Sequence, residues 1–343
     1  MTGAVVAAGA TVQPGGPPEW RDVLAPYTRP RVARSVLDLA TSVVPYLALS
    51  VVMYLLLDVS YLLTLLVAIP TTGFLLRTYV LFHDCTHGSF LPSKHANTWV
   101  GRALALLVFS PFSAWRHSHA VHHATAGDLE RRGVGDVPTW TVAEYNAASQ
   151  RGRIGYWLFR HPLVMFILGP IWAMIIGPRL ISKGQRPRIR RSVIWTNVGV
   201  VAMVAGLCWL IGWREYLMIQ LPTALMAGSA GVFMFYVQHQ FEDAYWEDSD
   251  SWTYAEAALR GSSYFRLPKV LQFFTANIGV HHVHHLSARI PNYNLQRAHD
   301  ENPIFHDVPT LTLWDGVKTV RLKLWDEQSG RLVSFKQARL LRS

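Results

Sequence analysis

Long apolar runs alternate with polar stretches along this chain, and the runs come in two close pairs. Leu39–Leu57 is apolar apart from Thr41, Ser42, Pro45 and Ser50, and the pattern resumes at Tyr61–Leu76 after the short break Asp58–Ser60. Val193–Ile211 and Tyr216–Val237 form the second pair, separated only by Gly212–Glu215. Each run is close to the ~20 residues that an α-helix needs to cross a hydrocarbon core. The pattern predicts spans at about 37–57, 61–82, 193–212 and 216–238, folded as two helical hairpins. The segments 83–192 and 239–343 are then left to form a cap on one side. Two shorter runs, Ala103–Phe112 and Leu163–Gly177, read as interfacial or re-entrant pieces, and Pro170 splits the second. One such run alone could be a buried helix of a soluble core. The repeated pairing argues instead for an all-α, multi-pass integral membrane protein, with a disordered arm at 1–18 and one membrane domain over 19–343.

Composition agrees with that frame. Of 343 residues, 50% are hydrophobic and only 16% charged, which excludes disordered and low-complexity classes. The net charge of +10 is placed asymmetrically, because Arg214 is the only basic residue at a hairpin tip. The positive-inside rule therefore puts the N-terminal arm, the long middle segment and the C-terminal tail in the cytoplasm. Anionic membrane lipids are a sufficient partner for the surplus, and no nucleic-acid recognition motif accompanies it. Cys85 and Cys208, the only cysteines, predict no disulfide framework. The Ala-, Gly- and Pro-rich first residues lack the basic start of a secretory signal.

The chemistry lies in the histidines. Phe82–Gly88 reads FHDCTHG, Trp115–Ala124 reads WRHSHAVHHA and Gly279–Leu286 reads GVHHVHHL. The spacings H-x-x-x-H and H-x-x-H-H put His83 and His87, then His119, His122 and His123, then His281, His284 and His285 on one helical face each. All three boxes fall on the predicted cap side, where they can converge. Buried neutral rings need partners for both nitrogens, and charged rings repel, so convergence calls for metal. Eight imidazoles exceed one closed tetrahedral zinc site and suit two ions with open positions. His239, at the cap end of the fourth run, is level with His83 and joins the ligand candidates. His117 and His282 are off the box faces, and His95, His161, His299 and His306 have surface roles by their spacing.

Asp84, Asp128, Asp136, Glu242 and Asp243 are close to boxes in sequence and could accept from the outer ring N–H groups. Asn277 precedes His281 by one helical turn, so it shares that face. Trp115 and Arg116 read as interfacial anchors, and Cys85 as a packing residue. The small residues Ala224, Ala227, Gly228, Ala230 and Gly231 suit close helix packing, or room for a kinked chain. Pro70 and Gly73 either bend the second span or are simply tolerated in it.

The stretches LFHDCTHGSF, WRHSHAVHHATAGDLERRGVGDVPT, VQHQFEDAYWE and ANIGVHHVHHLSARIPNYNL resemble the membrane fatty-acid desaturase superfamily, most closely bacterial acyl desaturases of the omega-6 or Δ12 type. The resemblance implies two iron ions held by the eight box histidines, with His239 in the place of a further ligand. It implies a cis double bond introduced into an acyl chain with dioxygen and two electrons. The substrate would be an acyl lipid or acyl thioester. The spacing by itself shows only a multi-histidine site for first-row metals, zinc included. Soluble di-iron enzymes use Glu-x-x-His pairs, which this chain lacks. No dinucleotide fingerprint, P-loop, C-x-x-C pair or HPGG stretch is present, so a separate ferredoxin or cytochrome b5-like donor is implied. A hydroxylase or ketolase of the same superfamily is the alternative. A metal transporter is a remote one, because the spans carry almost no ionisable residues along a path.

Overall fold

The computed structural model describes residues 19–340. The arm expected over 1–18 lies outside them. In chain order the principal helices are α1 Glu19–Leu24, α2 Val32–Leu56, α3 Tyr61–His87, α4 Lys94–Leu107, α5 Phe112–Thr125, α6 Val142–Ala147, α7 Gln150–Phe159, α8 Pro187–Ile211, α9 Trp213–His239, α10 Tyr254–Arg260, α11 Lys269–Phe274, α12 His281–Leu286, α13 Asn292–Asp300, α14 Leu313–Thr319 and α15 Phe335–Leu340. Four of them, α2, α3, α8 and α9, are long and apolar enough to cross a membrane. They are the two expected hairpins. Their outer faces stay bare of protein: Trp209 is 87% exposed and Leu62 68%, as side chains meeting lipid should be.

Helix length explains how membrane and cap are joined. At 27 residues each, α3 and α9 are about 40 Å long at ~1.5 Å per residue, against a hydrocarbon core of about 30 Å. The excess emerges at their C-terminal ends as two stalks. One carries His83 and His87, and the other carries His239. α3 therefore runs past residue 82, the end expected from hydropathy alone, whereas α9 ends at His239, close to the expected end. Gly88 stops α3 immediately after His87: it adopts φ 74°, and its N–H reaches Asp84 and Cys85 carbonyls.

Hydrophobic packing sets the angle of the stalks. Phe82, Cys85, Phe90, Leu104 and Phe112 form one buried cluster between α3, α4 and α5, so Cys85 packs as expected. Gly101 is required there, since a Cβ would stand 2.2 Å from the Phe112 ring. Gly73 likewise admits Phe274 of α11, whose ring would lie 2.5 Å from a Cβ. That approach, rather than a bend, accounts for the glycine. Polar contacts lock the cap-side ends. Asp38 of α2 pairs with Arg77 of α3 at 3.0 Å, both nearly solvent-free, and Arg77 also donates to the Phe273 carbonyl. Arg160, fully buried, donates to the Pro138 carbonyl and the Gln240 side chain, each at 2.8 Å, and to the Leu322 carbonyl at 3.2 Å. It ties α7 and the C-terminal region to the end of α9.

The segment expected to be interfacial or re-entrant is part of a bent helix pair, long and apolar enough together for a broken span or a re-entrant loop. α7 and the following piece, Val164–Arg179, meet at a 60° bend. That piece is wound as π-helix over Val164–Leu168 and Ile171–Ile176, on either side of Pro170. It leans on α9 where Gly228 leaves room, since a Cβ there would be 2.8 Å from Pro170. Part of the small-residue stripe is thus a seat for protein. The run Ala103–Phe112 is no span: α4 and α5 break apart within it, and Phe109 takes φ 52°. The cap is helical as expected, with two small sheets added. Trp140–Thr141, Leu324–Asp326 and Arg331–Val333 form one, and Tyr264–Arg266 runs parallel to Thr310–Thr312 in the other.

Replacing Asp38 with Ala strands the buried Arg77 charge. The loss should be about 3–5 kcal/mol, a typical penalty for breaking a buried pair. Unfolding followed in detergent checks it, and an unchanged transition would show that the pair does not hold α2 to α3.

Candidate metal centre

Two stalks and two cap helices aim imidazoles at a common space. α3 ends on His83 and His87, α5 presents His119, His122 and His123, α12 presents His281, His284 and His285, and α9 ends on His239. The nine rings form two groups. His83, His87, His119, His123 and His284 make one, and His122, His239, His281 and His285 the other, with ligand atoms in each group within 4.8 Å of one another. The division cuts across the boxes. His122 and His123 are chain neighbours in different groups, because consecutive helical positions diverge by about 100°. The groups adjoin: the His123 and His285 rings stack at 4.2 Å.

The nitrogens face one another in a way that hydrogen bonding cannot satisfy. His83 Nε2 is 3.0 Å from His119 Nε2, His123 Nε2 is 3.0 Å from His119 Nε2, and His284 Nε2 is 3.1 Å from His123 Nε2. In the second group His239 Nε2 is 2.9 Å from His281 Nε2. Outer contacts fix several tautomers. His83 Nδ1 donates to Asp84 Oδ1 at 3.2 Å, His122 Nδ1 to Asp136 Oδ1 at 2.5 Å, and His239 Nδ1 to the Gly261 carbonyl at 3.3 Å. Each such ring has then used its one N–H on the outside, leaving a bare lone pair on the inner Nε2. His122 Nε2 and His285 Nε2 are buried with no hydrogen-bond partner among the described residues. Protonation is no remedy. Burial first, and neighbouring imidazoles second, hold His119, His123, His281, His284 and His285 well below the usual imidazole range. Neutral rings with inward lone pairs fit cations, one per group.

Asp84 and Asp136 thus stand where the sequence put them, one behind each group. Asp84 is itself held: its Oδ2 accepts from the Asn292 backbone at 2.7 Å and side-chain amide at 3.0 Å, at the start of α13. Asn292 had no role assigned from sequence, and the stretch RIPNYNL around it was the only signal. The other expected acceptors are elsewhere. Asn277 is outside α12, with φ 59°, and its amide donates to the Asn292 carbonyl at 3.2 Å, so it is not on the His281 face. Asp128 pins its own loop through Arg131 and Ser249. Glu242 and Asp243 are exposed against Arg331. His117 is exposed. His299 is no surface residue: it is 7% exposed, and its Nδ1 is 3.1 Å from the Nε2 of buried His282. That contact joins α12 to α13 behind the centre.

The first group opens onto a chamber of about 280 Å³ that His83, His119, His281, Trp115, Tyr79 and Gly231 help to line. Trp115 stacks on His119 with ring centroids 4.3 Å apart, so it faces the chamber rather than anchoring an interface. Leu76, Tyr79 and Met174 border this chamber and also a second, apolar cavity of about 200 Å³ between α3, α9 and the π-helical segment. Ala224 and Ala227 line that cavity, so the small-residue stripe also gives space. The two imidazole groups thus stand beside a chamber that shares Leu76, Tyr79 and Met174 with a neighbouring apolar cavity, a setting suited to a hydrocarbon chain.

Comparison with known proteins places the chain in a family. The family model described as fatty acid desaturase matches residues 59–311. A fatty acid desaturase of Bacillus subtilis (strain 168) is 44% identical over 313 residues, covering 91% of this chain and 89% of the relative. Two Synechocystis proteins are more distant. An sn-1 acyl-lipid omega-3 desaturase (ferredoxin) is 26% identical over 64% of this chain and 62% of its own length. An sn-1 oleoyl-lipid 12-desaturase is 28% identical over 66% of this chain and 64% of its own length.

Removing one outer carboxylate frees a ring without removing a ligand. Asp84→Asn and Asp136→Asn should each weaken retention of one metal ion by about 10–100-fold, as loss of such an outer partner does elsewhere. Metal counted per chain after dialysis against a graded chelator checks it. Equal retention in wild type and both variants would separate these carboxylates from the centre.

Proposed function

The chain belongs to the fatty acid desaturase family, and from that premise we propose that it introduces a cis double bond of the omega-6 or Δ12 type into an acyl chain of a membrane lipid. The observation that carries the reading is the pair of inward-facing histidine groups beside the chamber and its neighbouring apolar cavity, the acyl channel of this reading. The ligand set is His83, His87, His119, His123 and His284 for one ion, and His122, His239, His281 and His285 for the other. The buried Nε2 atoms of His122 and His285, without a partner among the described residues, fit metal, and iron is our reading of it from the family resemblance.

When bound, the irons supply the oxidising power, with dioxygen, to take hydrogen from an unactivated methylene pair. The overall reaction balances with dioxygen, two electrons, two protons and the two substrate hydrogens giving two waters. The chain's own residues supply position. The imidazoles are fixed from outside by Asp84, Asp136 and the Gly261 carbonyl. Leu76, Tyr79 and Met174 line both chamber and cavity, and an acyl tail held against them would set which methylenes lie beside the first group. The apolar walls keep water away from the chain. Electrons come from a separate one-electron carrier, ferredoxin or cytochrome b5-like; the Synechocystis relative has ferredoxin in its name. The cap, and with it the centre, faces the cytoplasm by the placement of basic residues.

Expression in a host whose lipids hold only monounsaturated chains tests the reading. Fatty-acid profiling should find a diunsaturated product two mass units lighter than its precursor. A product heavier by one oxygen would replace desaturation by hydroxylation, and no product in the presence of a donor would overturn both. His284→Ala should lower iron per chain and abolish the product. Unchanged iron and product would remove α12 from the centre.

A further inference from the structure

The apolar cavity has a wall that meets the bilayer. Leu221 and Ile175 line it, and they are 53% and 44% exposed on the outside of the protein. At its cap-side edge the cavity is lined by Phe109, the residue between α4 and α5 with φ 52°. An aromatic side chain rarely takes that backbone conformation, so something must hold it. Arg179 does: its Nη2 donates to the Phe109 carbonyl. Arg179 closes the π-helical segment, and its own carbonyl accepts from the Asn197 side chain at 3.0 Å. The guanidinium is therefore fixed beside Phe109, one of the residues that line the cavity.

Its bonding is incomplete. Nε and Nη1 are shielded from solvent and have no partner among the described residues, and no carboxylate there pairs with the charge. Shielded cationic donors without an acceptor are costly, and a guanidinium matches anionic oxygens with two parallel bonds. A few residues on, Lys183, Arg186, Arg188, Arg190 and Arg191 are all exposed and form no ion pair among the described residues. An anionic acceptor held beside a hydrocarbon channel, under a cationic collar, has the chemistry of a lipid phosphate.

We propose that Arg179 binds the phosphate of a glycerophospholipid whose acyl chain enters the channel sideways from the bilayer. The proposal rests on the channel being the acyl site. It adds that the substrate carries a phosphate headgroup, where a glycolipid would offer Arg179 only neutral hydroxyls. Through the Phe109 carbonyl, headgroup capture is also tied to the shape of the cavity edge.

The test counts bound lipid and does not depend on turnover. The full-length protein, as isolated in an uncharged detergent, is titrated with dioleoyl phosphatidylglycerol, with a galactosyl diacylglycerol bearing the same chains, and with inorganic phosphate, and bound lipid is read by native mass spectrometry. The phospholipid should bind tighter than the galactolipid by roughly tenfold, as one charge-assisted pair allows. Arg179→Gln should erase that preference and leave galactolipid binding intact, which also reports a folded channel. Arg179→Lys should keep most of it. Three results overturn the proposal: no preference in the wild type, a preference that survives Arg179→Gln but falls with Arg188→Gln and Arg190→Gln together, or full displacement of the phospholipid by inorganic phosphate. Failure to find a desaturated product would leave this outcome standing. Desaturation with no effect at Arg179 would do the reverse.

Discussion

Neutral imidazoles that point their lone pairs at one another are the constraint on which this structure rests. Burial keeps the rings unprotonated, and outer acceptors at Asp84, Asp136 and Gly261 hold three of them with Nε2 turned inward. Such a cluster is unfavourable by itself, because each Nε2 loses water and gains only another acceptor. Cations between the rings convert that repulsion into bonding. Much of the cap serves to keep the rings facing: the stop at Gly88, the packing of α4 and α5 on the α3 stalk, and the buried Arg160 at the end of α9.

The two groups are similar in chemistry and unequal in setting. The five-ring group has the chamber on one side and is held through Asp84 by Asn292 at the start of α13. The four-ring group leans on Asp136 and on the α9 stalk. The channel approaches the five-ring group, with His281 of the other group at its margin. An acyl chain in it would therefore meet the two cation positions unequally, which is a geometric reason for choosing one pair of methylenes over its neighbours.

Position relative to the bilayer is solved with helix length and small residues. Helices longer than the hydrocarbon core carry ligands out of it, so polar rings need not sit in lipid. The π-helical segment then fills the groove beside α9, using Gly228 as its seat. Pro170, Ile171, Met174 and Ile175 of that segment form one wall of the apolar cavity.

The sequence by itself determined the paired spans, the side on which the boxes gather, and which histidines share a helical face. Those properties depend on period and length, which a linear pattern carries. It also located Asp84 and Asp136, because each is near its ring along the chain. It could not divide His122 from His123 between two groups, bring Asn292 to Asp84, or bury His299 against His282, since each depends on where α12 and α13 dock. It misplaced Asn277 by assuming that α12 began a turn early, and it read Trp115 as an interfacial anchor when its ring lies on His119. Periodicity tells a residue which way it faces on its own helix. Only the packing of helices from distant parts of the chain decides what it faces.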